Sequence, residues 1–450
     1  MKSLTKLFII FIMMMNAQAQ SRLEQYIHEG IEKNIVLQQK KISYEKAITA
    51  LHIATSYFFP SLNLQANYTS GEGGRSIAIP VGDMMNPVYQ TLNQLTGSNS
   101  FPQISNVNEN LFPYKFYDVK IRTALPLINT DLIFNRKIQS GQTQLKKYEV
   151  EMYKRELVKE IKVAYFNCLS AESAVKIYEN ALLLAHEGKR VNESLLKNGT
   201  GLPVYLLRSE SEIEQINAQK IEAENQLSNA KQYFNFLLNK NLDAEVVLNL
   251  TGEYENLLLK GQSVVDVSLS KREEILMLQQ AIDINNSVVR MKKFYWIPKV
   301  NVFMDLGAQD QKWKYDKHSR YYLFGFQLDV PIFESFRNQY QIDEAELGLR
   351  DAELNYKNIG SQLRLSANIA ANAVLTANQK YQSALKQFEA AKSYHKLVMK
   401  GYQEGIDTFI ETIDARTLLL TSEMLVNINR NNLLTAKANY ERELANNEIN

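Results

Sequence analysis

From Asn129 to Asn198 the sequence runs for about 70 residues without a proline and with only two glycines, Gly141 and Gly188. Leu157, Ile161, Ala164, Tyr165 and Leu169 recur at helical spacing within it. At 1.5 Å per residue such a helix is roughly 100 Å long, more than a globular core can use. A second proline-free stretch of nearly equal length, Glu334 to Lys400, contains Gly348 and Gly360. Each stretch leads through a glycine-containing turn into another helix, Leu202 to Leu238 after Gly199 and Gly201, and Ile406 to Leu444 after Gly401 and Gly405. Mixed polar and apolar heptad positions on long antiparallel helices suit coiled-coil packing, although ordinary helical hairpins share the same periodicity.

The long helices are parts of a larger internal duplication. Phe59-Pro60-Ser61-Leu62-Asn63-Leu64 is answered by Ile297-Pro298-Lys299-Val300-Asn301-Val302, and Leu125-Pro126-Leu127-Ile128 by Val330-Pro331-Ile332-Phe333. Gly199 and the helix after it are answered by Gly405, and the shift of about 205 to 240 residues is too long for a solenoid repeat. Before each long helix lies a pair of strands with strict alternation. Leu62, Leu64, Ala66 and Tyr68 oppose Ser61, Asn63, Gln65 and Asn67, while Tyr117, Val119, Ile121 and Leu125 oppose Asp118, Lys120 and Arg122. In the second unit Val300, Val302, Met304 and Leu306 oppose Asn301, Phe303 and Asp305. Tyr322, Phe324, Phe326 and Leu328 then oppose Leu323, Gly325, Gln327 and Asp329.

Strands of about 9 to 11 residues are long enough to cross a bilayer when tilted, although a soluble sheet with one wet face alternates in the same way. Four strands cannot close a membrane barrel, and open edges in hydrocarbon leave backbone groups unpaired at several kcal/mol each. A membrane reading therefore requires several chains to share one barrel. Residues 70–114, rich in Gly, Ser, Asn and Pro, form a connection too long for a hairpin turn, with a shorter counterpart from Ala308 to Arg320 on the same side.

Lys2 and Lys6, the apolar block Leu7 to Met15 and Ala17-Gln18-Ala19 read as a secretory signal peptide over residues 1–19. A single cysteine, Cys168, excludes an internal disulfide or a thiolate metal cluster and reads as a small core residue. With 51 basic and 49 acidic residues there is no electrostatic footprint for nucleic acid. His28, His52, His186, His318 and His395 have no ligand spacing, and Gly71-Glu72-Gly73-Gly74-Arg75 lacks the lysine and hydroxyl of a phosphate loop. No nucleophile elbow or catalytic constellation is present, so the chain reads as a non-enzyme without cofactor or metal. Tyr57, Phe58, Phe59, Tyr295 and Trp296 precede strands and suit either an interfacial aromatic belt or ordinary junction packing.

This arrangement resembles the TolC-like outer membrane efflux proteins over essentially all of the mature chain. The duplication, the X-Pro-X lead into each first strand and the Tyr402-Gln403-Glu404-Gly405-Ile406-Asp407-Thr408-Phe409-Ile410-Glu411-Thr412-Ile413-Asp414-Ala415 segment carry the resemblance. It implies a mainly α protein with a membrane β-barrel: a homotrimer with a 12-stranded barrel, four strands per chain, continued by an α-helical coiled-coil barrel through the periplasm. The implied partners are a periplasmic adaptor, an inner-membrane transporter and outer-membrane lipid. The expected division is a first repeat over 20–240, a linker over 241–270 and a second repeat over 271–450.

By position in the family, Glu411 and Asp414 fall where acidic rings narrow the periplasmic aperture, and their spacing of three puts both on one helical face. Two acids in the first turns of a helix also complement its positive end. Tyr402, Gly405, Asp407, Gly199 and Gly201 mark the gate region that the resemblance implies. Asp407 stands where some relatives carry arginine, and Tyr205 where an acid is frequent. A periplasmic or surface coiled-coil scaffold without a pore is the alternative reading.

Overall fold

The structure, a computed structural model, describes residues 22–110, 114–248 and 272–445. The expected signal peptide and most of the expected linker lie outside the described residues. The chain divides into two compact units. The first draws on Met1–Ile48, Gly141–Ile284 and Gly348–Asn450, and the second on Thr49–Ser140 and Asn285–Leu347.

In chain order the elements are α1 (Arg22–Lys33), α2 (Ile35–Ser56), β1 (Ser61–Ser70), β2 (Ser76–Ile79), α3 (Val81–Thr96), β3 (Val107–Asn110) and β4 (Lys115–Ile128). They continue as α4 (Thr130–Lys197), α5 (Pro203–Leu237), α6 (Glu273–Lys293), β5 (Lys299–Asp310), β6 (Arg320–Asp329), α7 (Arg337–Gln403) and α8 (Phe409–Leu444). The two long helices have 68 and 67 residues, and the helices that follow them have 35 and 36. Helix α7 starts at Arg337 rather than Glu334 because Ser335 and Phe336 take φ values of 51° and 62°, which no α-helix accommodates. No described helix is long and apolar enough to cross a membrane.

In the first unit the apolar stripe of α4 builds the core. Leu157, Ile161, Tyr165 and Leu169 are fully buried against Leu23 and Tyr26 of α1, Phe234 of α5 and Leu434 of α8. The Phe234 ring meets Tyr26 edge-on, with centroids 5.0 Å apart and planes at 89°, the geometry the ring quadrupole favours. Cys168 is buried in the same cluster, and burial pushes its thiol pKa up to about 12, so it stays protonated and inert. Between α1 and α2, buried Asn34 donates to the Leu237 carbonyl at 3.0 Å and accepts from the Leu37 backbone at 3.0 Å, which starts α2. Arg272, fully buried, is held by Glu274 at 2.8 Å and by Glu443 near the end of α8 at 2.6 Å.

The second unit is built on an antiparallel sheet of order β1-β4-β5-β6. Its register pairs Leu64 with Ile121, Ile121 with Leu306 and Leu306 with Tyr322, so the apolar residues of all four strands share one face. On that face Leu62, Leu64, Met304, Leu306, Tyr322, Phe324 and Phe326 are exposed. The opposite face carries paired charges. Arg122 holds both oxygens of Asp305 at 2.7 Å, Lys120 lies 3.0 Å from Asp118, and the Tyr321 hydroxyl donates to Asp118 at 2.7 Å. The strands run past the expected ends. Strand β4 continues through Pro126 at the cost of a register shift between Pro126 and Ile128.

Residues 70–114 are more ordered than their composition suggests. The short strands β2 and β3 pair, and α3 lies between them despite Pro87. Side-chain amides replace apolar packing there: Asn86 donates to the Ile104 carbonyl at 2.9 Å and accepts from its backbone N–H, and Asn93 does the same for Phe101 at 2.8 and 3.0 Å.

Phe234 is fully buried and joins three helices, so Phe234→Ala should destabilise the protein by about 3–5 kcal/mol, read as a lower thermal midpoint of the helical circular-dichroism signal.

Candidate functional site

The two helical hairpins of the first unit turn through the same hydrogen-bonded motif. Gly199 takes φ +77°, its N–H bonds the Leu196 carbonyl at 3.1 Å, and the Thr200 N–H bonds the Leu195 carbonyl at 3.0 Å. Gly405 takes φ +79°, with Gly405 N–H on Tyr402 at 3.2 Å and Ile406 N–H on Gly401 at 2.7 Å. Both are Schellman caps, which need a residue at positive φ where any other side chain costs about 1–2 kcal/mol. Gly201 packs on the backbone of Leu196, and Pro203 then opens α5 at its first turn.

Helix α8 opens differently. Thr408 and Glu411 form a reciprocal capping box. The Thr408 backbone N–H donates to Glu411 Oε2 at 2.6 Å, and Thr408 Oγ1 accepts from the Glu411 N–H at 3.4 Å. The Thr408 backbone N–H and then its hydroxyl hold the Glu411 carboxyl below its ordinary pKa. Asp414 lies one turn on, and both acids are exposed on α8. Of the two readings of these acids, helix capping describes what Glu411 does here. Asp414 makes no such contact.

Asp407 is half-buried and folds back over the last turn of α7, its carboxylate filling the space a Cβ on Gly401 would need. The Tyr402 hydroxyl donates to Asn192 Oδ1 on α4 at 2.7 Å, and Asn192 Nδ2 donates to Ser209 Oγ on α5 at 2.9 Å. Burial raises the Tyr402 pKa, and nearby Tyr205 raises it further, so the hydroxyl remains a donor. Buried Phe409, the first residue of α8, lies 4.8 Å from the Tyr205 ring and 6.1 Å from the Tyr402 ring. The structure thus brings Tyr402, Gly405, Asp407 and the start of α8 together with α4 and α5. It adds Asn192 and Ser209, which no sequence motif announced, and gives Phe409 of the quoted segment a packing role.

Deeper in the bundle, buried Arg416 of α8 holds Glu212 of α5 through Nε at 3.1 Å and Nη2 at 2.7 Å. Gly188 of α4 makes room for it, since a Cβ there would come within 2.8 Å of Arg416 Nη1. An isolated glycine inside a long helix was the available signal for this close approach. His395 of α7 has a buried Nε2 without a hydrogen-bond partner, and burial together with the Arg416 charge lowers its pKa, so it is neutral near pH 7. Among the described residues no cluster of His, Cys, Asp and Glu could hold a metal.

Comparison with known proteins places this geometry. The family described as Outer membrane efflux protein matches residues 264–444. The Cation efflux system protein CusC of Escherichia coli K12 is 22% identical over 287 residues, which cover 61% of this chain and 60% of CusC. A crystal structure of CusC aligns with TM-score 0.77 at 14% identity, covering 94% of this chain and 92% of that one. Residues 264–444 thus match the outer membrane efflux protein family, and the described fold is that of its solved channels. The open-state crystal structure of the Neisseria gonorrhoeae MtrE outer membrane channel has the same TolC-like fold, with TM-score 0.75, 17% identity and coverage of 94% and 88%. The aligned portion spans about three-fifths of the CusC sequence.

Two outcomes test this site. Arg416→Met strands Glu212 in the bundle and should cost about 3–5 kcal/mol, whereas Arg416→Met with Glu212→Met should recover most of that in a thermal melt. Because the folded protein depresses the His395 pKa, the unfolded chain binds the extra proton, and stability falls as pH drops below about 6.5. His395→Asn should therefore gain in melting temperature relative to the parent protein between pH 7.5 and 5.5.

Proposed function

We propose that the chain is the outer-membrane component of a tripartite efflux or type I secretion system, a passive conduit from periplasm to exterior. The reading rests above all on one observation: a four-stranded sheet, apolar and exposed on one face, polar on the other, with both edge strands bonded along one side only among the described residues. In hydrocarbon those edges demand partners. Three copies would supply twelve strands, enough to close a barrel with the paired charges of Arg122, Asp305, Lys120 and Asp118 lining its water-filled interior. The helices would form the periplasmic tunnel and dock on an adaptor and an inner-membrane transporter, which would supply energy. As the channel part of such a system, the protein would carry out no chemistry of its own.

Cargo selection would then lie with the transporter. CusC is named for cation efflux, and a cation preference here would come from the acidic residues of the turn region. In a trimer, Glu411 and Asp414 would present two stacked acidic rings at the periplasmic aperture, attracting cations. The Tyr402–Asn192–Ser209 chain would hold α7 and α8 against α4 and α5 in the closed state, with Gly199, Gly201, Gly405 and Asp407 shaping the turns around it.

Reconstituted in planar bilayers, the protein should conduct poorly and prefer cations. Glu411→Gln with Asp414→Asn keeps a residue suited to the capping box at 411. This double variant should lower the cation preference and raise conductance. Channels indistinguishable from the parent would remove the aperture assignment, and recovery of the protein from the periplasm without detergent would remove the channel reading.

A further inference from the structure

The connection between β5 and β6 folds back over the apolar face of the sheet. Trp313 lies flat on Tyr117, with ring centroids 4.8 Å apart and planes 4° from parallel, and 6.0 Å from Tyr68. The Tyr117 hydroxyl donates to the Lys314 carbonyl, which pins the connection in place. Beneath it is a cavity of about 600 Å³, within the roughly 300–1,000 Å³ of small-molecule sites. Leu64, Val119, Ile121 and Leu306 line much of its strand side together with Lys120 and Tyr321, and Trp313, Lys314, Tyr315 and Arg320 lie at its rim.

Charge at this rim is one-sided. Residues 310–320 carry Lys312, Lys314, Lys317 and Arg320 against Asp310 and Asp316. Both acids are occupied by backbone. Asp310 accepts from the Gln311 N–H at 2.6 Å, and Asp316 accepts from His318 at 2.8 Å and Ser319 at 3.1 Å. Arg320 lies over the Tyr315 ring at 5.6 Å. Lys314 lies near enough to Asp316 to help lower its pKa, but among the described residues no carboxylate comes within 4.0 Å of these four cations. A cavity with apolar walls, aromatic rings and surplus cations at its rim suits a molecule that is hydrocarbon at one end and anionic at the other.

We propose that this cavity binds a lipid whose headgroup carries phosphate, its acyl chain along the strands and its phosphate against Lys314 and Arg320. The inference rests on the barrel reading, in which the apolar face meets hydrocarbon and the β5–β6 connection lies at headgroup depth. The cavity is centred on β4 and β5, the inner strands, and reaches Leu64 of β1 and Arg320 of β6. Most of its wall residues belong to the apolar face, with Lys120 and Tyr321 of the charged face at its border.

The chain has two tryptophans, Trp296 and Trp313, so Trp296→Phe makes Trp313 a sole fluorescent reporter. In phosphatidylcholine vesicles containing a minority of bromine-labelled lipid, labelled phosphatidylglycerol should quench Trp313 about threefold more than labelled phosphatidylcholine. Lys314→Gln with Arg320→Gln should abolish the difference, Lys314→Arg with Arg320→Lys should keep it, and millimolar inorganic phosphate should leave it unchanged. A control carrying Phe326→Trp, with Trp296 and Trp313 both changed to Phe, should be quenched equally by either lipid. Equal quenching of Trp313 by both lipids, or loss of the preference on adding phosphate, would overturn the lipid site while the control still reports insertion. An unquenched control would overturn the barrel reading instead.

Discussion

Backbone groups without partners govern this molecule more than any side chain does. Among the described residues, strands β1 and β6 each leave a row of donors and acceptors open along one side of the sheet, and a hydrocarbon setting would offer nothing to satisfy them. Pairing between copies, as proposed, would meet that demand without adding a strand to the chain. The sheet is consistent with such an assembly in every other respect. Its register gathers the apolar side chains of four strands on one face. The charged residues of the other face are bound to one another, so water beside them need not compensate bare charges.

The same accounting applies at the helix ends. Each long helix closes with its last carbonyls capped by the N–H groups of the following turn, around a glycine at positive φ. Beyond the turns, polar links between helices replace much of the apolar packing: Tyr402 to Asn192, Asn192 to Ser209, and Arg416 to Glu212. Such contacts are directional, so they specify which faces meet, whereas an apolar stripe leaves rotation and slippage cheap. A hairpin held this way has a few discrete arrangements open to it rather than a continuum.

Much of this was legible in the sequence because the periodicities are long and undisturbed. The stripe from Leu157 to Leu169 gave the core of α4, and strict alternation gave all four strands of the sheet within a few residues. The misses have physical causes. Helix α3 was invisible because Asn86 and Asn93 hold it by side-chain bonds to backbone eighteen and eight residues away, a pattern that carries no hydrophobic period. The start of α7 was placed early because Ser335 and Phe336 adopt backbone angles that neither residue announces. Tyr402 and Gly405 stood out by motif, but Asn192, Ser209 and Glu212 are ordinary polar residues on long helices. Only the packing of α4 and α5 against α7 and α8 gives them a role.

Glu411 serves two masters. The carboxylate that stands on the exposed side of α8 is also the one that secures the first turn of that helix through Thr408. Local charge and local rigidity are therefore linked at this position, and a sequence drifting away from an acid there keeps the capping bond only through glutamine. Asp414, a turn deeper and free of that duty, is where such drift meets least resistance.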